Sequence, residues 1–162
     1  DQPIIIVDYA HTPDALEKVL CTLRELLRNA SQNKGAAGQN ARLFCVVGCG
    51  GDRDKGKRAM VGEVATRLAD EVIFTSDNPR MEDPLSIIKD IVAGASAKNY
   101  QMEVDRALAI YQAIDNAQPG DIVLIAGKGH EKFQEIKGQK IPLNDADVVQ
   151  QVLKDLTMKV RV

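Results

Sequence analysis

Apolar residues along this chain follow two alternating rhythms. Short continuous runs, Ile4–Val7, Leu43–Val47, Val72–Thr75 and Ile122–Ala126, are rich in β-branched residues and have the pattern of strands covered on both faces, as in parallel sheets. Between them the apolar spacing changes to that of helices. Thr12–Leu27 reads as a helix, with Thr12 as N-cap, Pro13 at the first helical position and Leu16, Val19, Leu20, Leu23, Leu26 and Leu27 along one stripe. Further helices are predicted over Lys57–Ala69, Pro84–Ala95, Asp105–Ala117 and Asp145–Leu156, the last capped by Asn144. A short strand is expected near Gln101–Val104, and Phe133–Ile136 with Lys140–Pro142 makes a hairpin around Gly138. Asn29–Asn40, rich in Gly, Ala, Ser and Asn, reads as a surface loop tolerant of length change.

Buried strands alternating with helices predict a Rossmann-like, doubly wound α/β fold. The expected sheet is mainly parallel, of about six strands, with helices on both faces and one domain over 1–162. There is no internal repeat. In such sheets the working loops leave the carboxyl ends of the strands. Four segments fall there: Asp8–Pro13, Gly48–Arg58, Ser76–Pro84 and Gly127–Glu131.

Composition narrows the class without naming a chemistry. With 162 residues, 44% hydrophobic and 27% charged, the chain is long enough to bury a core without staples. A net charge of −2 argues against a nucleic-acid partner, and no apolar run is long enough to span a membrane. Three cysteines (Cys21, Cys45 and Cys49) without metal spacing fit a reduced, cytoplasmic protein with buried thiols. Met60, Met81 and Met102 are spaced like core filler. The start at Asp1-Gln2-Pro3, straight into a strand without an initiator methionine or a leader, raises the expectation of a piece cut from a longer protein.

Each loop has a functional and a plain reading. GCGGDRDKGKR misses the dinucleotide fingerprint at Arg53 and the P-loop hydroxyl at Arg58. Its glycines allow close backbone approach and Arg53 offers a fork for a carboxylate or phosphate, unless the segment is simply a tight turn with solvated charges. In SDNPRMEDP, Pro79 keeps Asn78 extended, so Asp77, Asn78 and Arg80 project from one rigid turn and suit a zwitterionic amino acid. Alternatively Asp77 and Asn78 cap their own turn while Arg80 faces solvent. Gly127-Lys128-Gly129-His130-Glu131 exposes backbone groups, with Glu131 as an anion for an ammonium and His130 either bonding carbonyls or titrating. Asp8 and the helix start after His11 suit ribose and phosphate, or merely cap the turn. Two distant histidines make a zinc site improbable, and no G-x-S-x-G supports a hydrolase.

Taken together, DYAHTP, GCGGDRDKGKR, DNPR with its trailing acids and AGKGHE resemble, in this order and spacing, the C-terminal domain of the Mur ligases over nearly the whole chain. The loop at Asn29–Asn40 is longer than that family's pattern. The resemblance implies a three-domain cytoplasmic enzyme of peptidoglycan synthesis. Its N-terminal domain would hold the UDP end of the substrate. Its central domain would carry the P-loop, the Mg²⁺ ligands and a carbamylated lysine. The present domain would close over ATP with the incoming amino acid.

By the same resemblance DNPR implies meso-diaminopimelate, added to UDP-MurNAc-L-Ala-D-Glu through an acyl phosphate; a lysine-adding relative has a different loop. Arg53 would then help hold a diaminopimelate carboxylate. Asp77, Asn78, Pro79 and Arg80 would recognise the distal centre, with Arg80 on its carboxylate. Gly127 and Glu131 would meet its ammonium, and Asp8 and His11 would face the nucleotide. No catalytic residue or metal ligand is expected in this domain, which alone would be inactive. The rival readings are a lysine- or ornithine-adding ligase of the same family, which DNPR disfavours, a non-catalytic Rossmann-like nucleotide-binding module, and a P-loop phosphotransferase built on Gly51–Arg58.

Overall fold

The computed structural model describes residues 2–34 and 41–159. Five strands, β1 (Ile4–Asp8), β2 (Leu43–Val47), β3 (Glu71–Phe74), β4 (Tyr100–Met102) and β5 (Ile122–Ala126), form one sheet in the order β1-β5-β2-β3-β4. Every neighbouring pair in it is parallel. Between and after them run α1 (Pro13–Lys34), α2 (Gly56–Leu68), α3 (Pro84–Val92), α4 (Arg106–Asn116) and α5 (Asp145–Lys159).

Strand side chains alternate between two apolar layers, as a pleat requires. Leu43, Cys45, Val47 and Leu124 pack beneath α1, α2 and α3. Phe44, Val46, Val123 and Ile125 pack against α4 and α5 on the opposite face. The helices therefore cover both faces, and β2 and β5, buried along their whole length, lie at the centre. Among the described residues no helix is long and apolar enough to cross a membrane.

Several expectations are corrected. The sheet has five strands rather than about six, because β6 (Phe133–Ile136) and β7 (Gln139–Pro142) pair only with each other as a separate antiparallel hairpin. The run Ile4–Val7 is an edge strand paired to β5, with Ile6 packed against one apolar layer, Ile5 and Val7 against the other, and Ile4 exposed. Asn29–Lys34 is helical, not loop, since α1 propagates past its last core leucine at a small cost per polar residue. Residues 35–40 of the expected loop lie outside the described residues. Leu26, Met60, Met81 and Met102 are exposed, so their spacing did not signify core positions.

Because all five strands run the same way, their carboxyl ends share one edge. The four loops singled out above gather there.

Candidate functional site

The loops enclose a cavity of about 450 Å³. Tyr9 and His11 form one wall, Gly48, Cys49, Gly50 and Arg53 another, Asp77, Asn78 and Arg80 the floor, and Gly127 with Glu131 the remaining side. Seven of the nine residues expected at the site thus line one hollow: His11, Arg53, Asp77, Asn78, Arg80, Gly127 and Glu131. Pro79 shapes its floor through backbone. The close approach of the Gly48–Arg58 and Ser76–Pro84 loops explains the choice of residue: a Cβ on Gly51 would run into the Pro79 carbonyl. Instead the Gly51 N–H donates to the Asn78 carbonyl at 2.8 Å.

Asp8 is placed differently. Its carboxylate accepts the Ala10 N–H at 2.7 Å and its carbonyl accepts the Gly127 N–H at 3.1 Å, so it shapes the turn behind the cavity. Thr12 caps α1 through Ala15 N–H, as expected. His11 stays on the wall beside exposed Tyr9, whose ring also stacks on His130 at 6.1 Å. His130 is exposed and is therefore not tied to buried carbonyls.

Arg80 takes a left-handed backbone conformation, φ 53°, held by a bridge to β6: its N–H donates to the Glu135 carbonyl and its carbonyl accepts the Lys137 N–H, both at 2.8 Å. Its Nε donates to Glu135 Oε2 at 2.9 Å and its Nη1 to the Gly51 carbonyl at 2.8 Å. Among the described residues no hydrogen bond uses Nη2. The arginine is thus a brace between loop and hairpin as well as a cation at the cavity, a double role the sequence did not suggest.

Asn78 does not project freely. Its Oδ1 accepts from Lys128 Nζ at 2.8 Å and from the Glu135 N–H at 3.0 Å, and its Nδ2 donates to Glu131 Oε2 at 3.2 Å. Asp77 is buried at the bottom. Burial pushes its carboxyl up and Glu131 adds to that, while Arg106 and Lys128 pull it back only in part. Gly127, at φ 109°, passes so close that a Cβ there would sit 2.9 Å from Asp77 Oδ2. The floor therefore offers carboxylates and a guanidinium within one small volume, the requirement for gripping a group that carries both charges.

Three supporting clusters escaped the sequence reading. Buried Arg58 pairs with both oxygens of Glu82, at 2.8 and 2.9 Å, and with Asp90 at 3.0 Å, fastening α2 to the loop after Arg80. Arg106 and Asp145, both fully buried, form a bidentate pair, and the same guanidinium donates to the carbonyls of Ser76 and Ala126 at 3.1 and 3.0 Å. These carbonyls immediately precede Asp77 and Gly127. The third cluster is the buried Lys128. Partners tens of residues apart leave no local pattern to read.

The Arg58 hydrogen bonds, helped by the Asp52 N–H, hold the Glu82 carboxyl down at about 2, against 4.5 ordinarily. A depressed carboxyl stabilises the fold fully above its unfolded value and loses that contribution as pH falls toward the folded one. Glu82→Gln should therefore flatten the acid limb of the stability curve between pH 4.5 and about 2, read by urea melts at each pH. An unchanged acid limb would contradict this role.

Cys45 and Cys49 are each pushed up to about 12, mainly by burial, whereas Cys21 is exposed. At about pH 8 an alkylating reagent should label Cys21 alone, because the thiolate is the nucleophile. Cys49 is half-buried and lines the cavity, so its labelling in the native protein, read by mass spectrometry, would count against the raised thiol.

No three His, Cys, Asp or Glu side chains among the described residues are grouped to hold a metal ion. A family profile described as "Mur ligase, glutamate ligase domain" matches residues 1–129. The chain belongs to the Mur ligase family. Its relatives include the UDP-N-acetylmuramoyl-L-alanyl-D-glutamate–2,6-diaminopimelate ligase of Nitrosomonas europaea, 60% identical over 156 residues, which cover 96% of this chain and 30% of that protein. The protein of the same description from Chromobacterium violaceum is 51% identical over 152 residues, 94% of this chain and 29% of the other. A solved structure of an enzyme so described superposes with a TM-score of 0.84 at 42% identity, covering 97% of this chain and 30% of that one. This Mur ligase domain thus spans about 30% of the length of these relatives. The profile ends at residue 129, short of Glu131, the hairpin and α5, whereas the alignments with these relatives cover 94–97% of the chain.

Proposed function

We propose that this chain is the amino-acid-receiving C-terminal domain of a cytoplasmic, three-domain ligase that adds meso-diaminopimelate to UDP-MurNAc-L-Ala-D-Glu. The carrying observation is that Arg53 and Arg80 share one cavity with Asp77 and Glu131. The distal centre of diaminopimelate is zwitterionic, and this wall has both signs of charge to meet it. Arg80, with Arg53 at the rim, takes a carboxylate. Glu131 and the backbone at Gly127 take the ammonium, and Asp77 closes the floor behind them. Held there, the far amine is directed out of the cavity toward the partner domains, where its attack on the activated carboxylate forms the amide.

ATP and Mg²⁺ supply the acyl phosphate in this reading, with Mg²⁺ held mainly by the central domain. His11, on the cavity wall, meets the nucleotide in this reading, with Asp8 behind it shaping the turn. The N-terminal and central domains complete the site, so the domain alone turns nothing over.

Selection against lysine follows from the missing carboxylate. Lysine leaves the Arg80 fork unanswered, and a polar group built to be paired discriminates by about 10⁴ or more when its partner is absent. Phosphate release by the full-length ligase, with the UDP-dipeptide and each amino acid in turn, tests the proposal. Turnover with meso-diaminopimelate but not L-lysine is expected. Equal turnover with lysine, or none with diaminopimelate, would overturn it.

A further inference from the structure

Lys128 is the one lysine buried among the described residues. Burying an ammonium is expensive unless every donor finds work. An apolar side chain of similar length could fill the same space. Two of its hydrogen bonds are visible: Nζ donates to Asn78 Oδ1 at 2.8 Å and to Glu131 Oε2 at 2.9 Å. Asn78 closes the triangle by donating Nδ2 to the same Glu131 oxygen at 3.2 Å. Because Lys128 and the Glu135 N–H both donate to Oδ1, the Asn78 amide has one possible orientation. Glu131 is thereby held by one oxygen, leaving Oε1 for the cavity.

The charges around this triangle give it a further consequence. Asp77 and Glu131 both line the hollow. Arg106 also faces Asp77 but is already paired with Asp145; without Lys128 the two neighbouring carboxylates would keep an excess of negative charge and draw in any amine, including the side-chain ammonium of lysine. Lys128 lies outside the lining and cannot grip a ligand itself. Its charge cancels one of the two anions from behind, so the floor accepts a single ammonium only in company with a carboxylate on Arg80.

We propose that Lys128 is a positioning residue that sets amino-acid selectivity, fixing Glu131 and reducing the negative charge of the cavity so that a zwitterionic centre is preferred to a simple cation. Discrimination of this kind comes from penalising the wrong ligand as much as from gripping the right one. The inference rests on the diaminopimelate reading above.

The test is Lys128→Met in the full-length ligase, with kcat/KM measured for meso-diaminopimelate and for L-lysine. The ratio of the two should fall about tenfold or more, through both a loss on diaminopimelate and a gain on lysine. If both values fall together and the ratio holds, Lys128 is merely structural and the inference is wrong. If the unmodified ligase does not use diaminopimelate at all, the functional reading fails first. A second measurement does not depend on the variant folding. In the unmodified chain, NMR should show the Lys128 side-chain nitrogen held in hydrogen bonds to Asn78 and Glu131, and a freely rotating side chain would overturn the positioning argument.

Discussion

Replacing Arg80 by alanine should raise the KM for meso-diaminopimelate about 100-fold, as expected when a charge loses its hydrogen-bonded partner at a cost of roughly 2–5 kcal/mol. The KM for ATP should stay nearly unchanged, because the arginine belongs to the cavity floor and not to the wall that Tyr9 and His11 form. Two bonds complicate the variant: Arg80 also holds the Gly51 carbonyl and Glu135. Arg80→Lys separates the roles. It keeps the positive charge but not the planar fork, so much of the KM effect should remain. Steady-state kinetics on the full-length ligase decide this, and an unchanged KM for diaminopimelate would remove Arg80 from the ligand site.

The largest effect on stability is expected at the Arg106–Asp145 pair. Asp145→Ala leaves a guanidinium uncompensated in the core and should cost about 3–5 kcal/mol. Replacing both partners with apolar residues should recover a good part of that, since buried pairs are poor net stabilisers. Ligand binding should not recover with it. The guanidinium also fixes the Ser76 and Ala126 carbonyls, and the apolar replacement has no donor for either. Urea denaturation gives the first result and diaminopimelate titration the second. A single variant losing less than about 1 kcal/mol would mean that the pair behaves like an exposed one.

Much of this was legible in the sequence, for identifiable reasons. The runs Leu43–Val47 and Ile122–Ala126 are strands with the expected ends, because a five-residue apolar run between turn residues has few other uses. Asp105 caps α4 through the Leu108 N–H, just where that helix was expected to begin. The loops at the carboxyl ends stood out because helix packing could not account for their Gly, Pro and charged residues.

What the sequence concealed is how those loops are held. Lys128 and Asn78 are 50 residues apart, Arg106 and Asp145 are 39 apart, and Arg58 and Glu82 are 24 apart. None of these spacings has a periodicity that a helix or strand would impose. The DNPR segment read as side chains projecting from a rigid turn. In the fold the Asn78 amide is turned inward, and its bonds to Lys128 and Glu131 give the site its order. The exposed Met60, Met81 and Met102 show the converse limit, since spacing alone does not say which face of an element meets the core.

The central claim is that the cavity at the carboxyl edge recognises the zwitterionic end of meso-diaminopimelate. Backbone NMR of this chain, titrated in parallel with meso-diaminopimelate and with L-lysine, tests it residue by residue. Shifts concentrated at Arg53, Asp77–Arg80 and Gly127–Glu131 with diaminopimelate, and absent with lysine, are the predicted result. Equal shifts with lysine, or shifts with diaminopimelate that leave Asp77–Arg80 and Gly127–Glu131 unmoved, would contradict it.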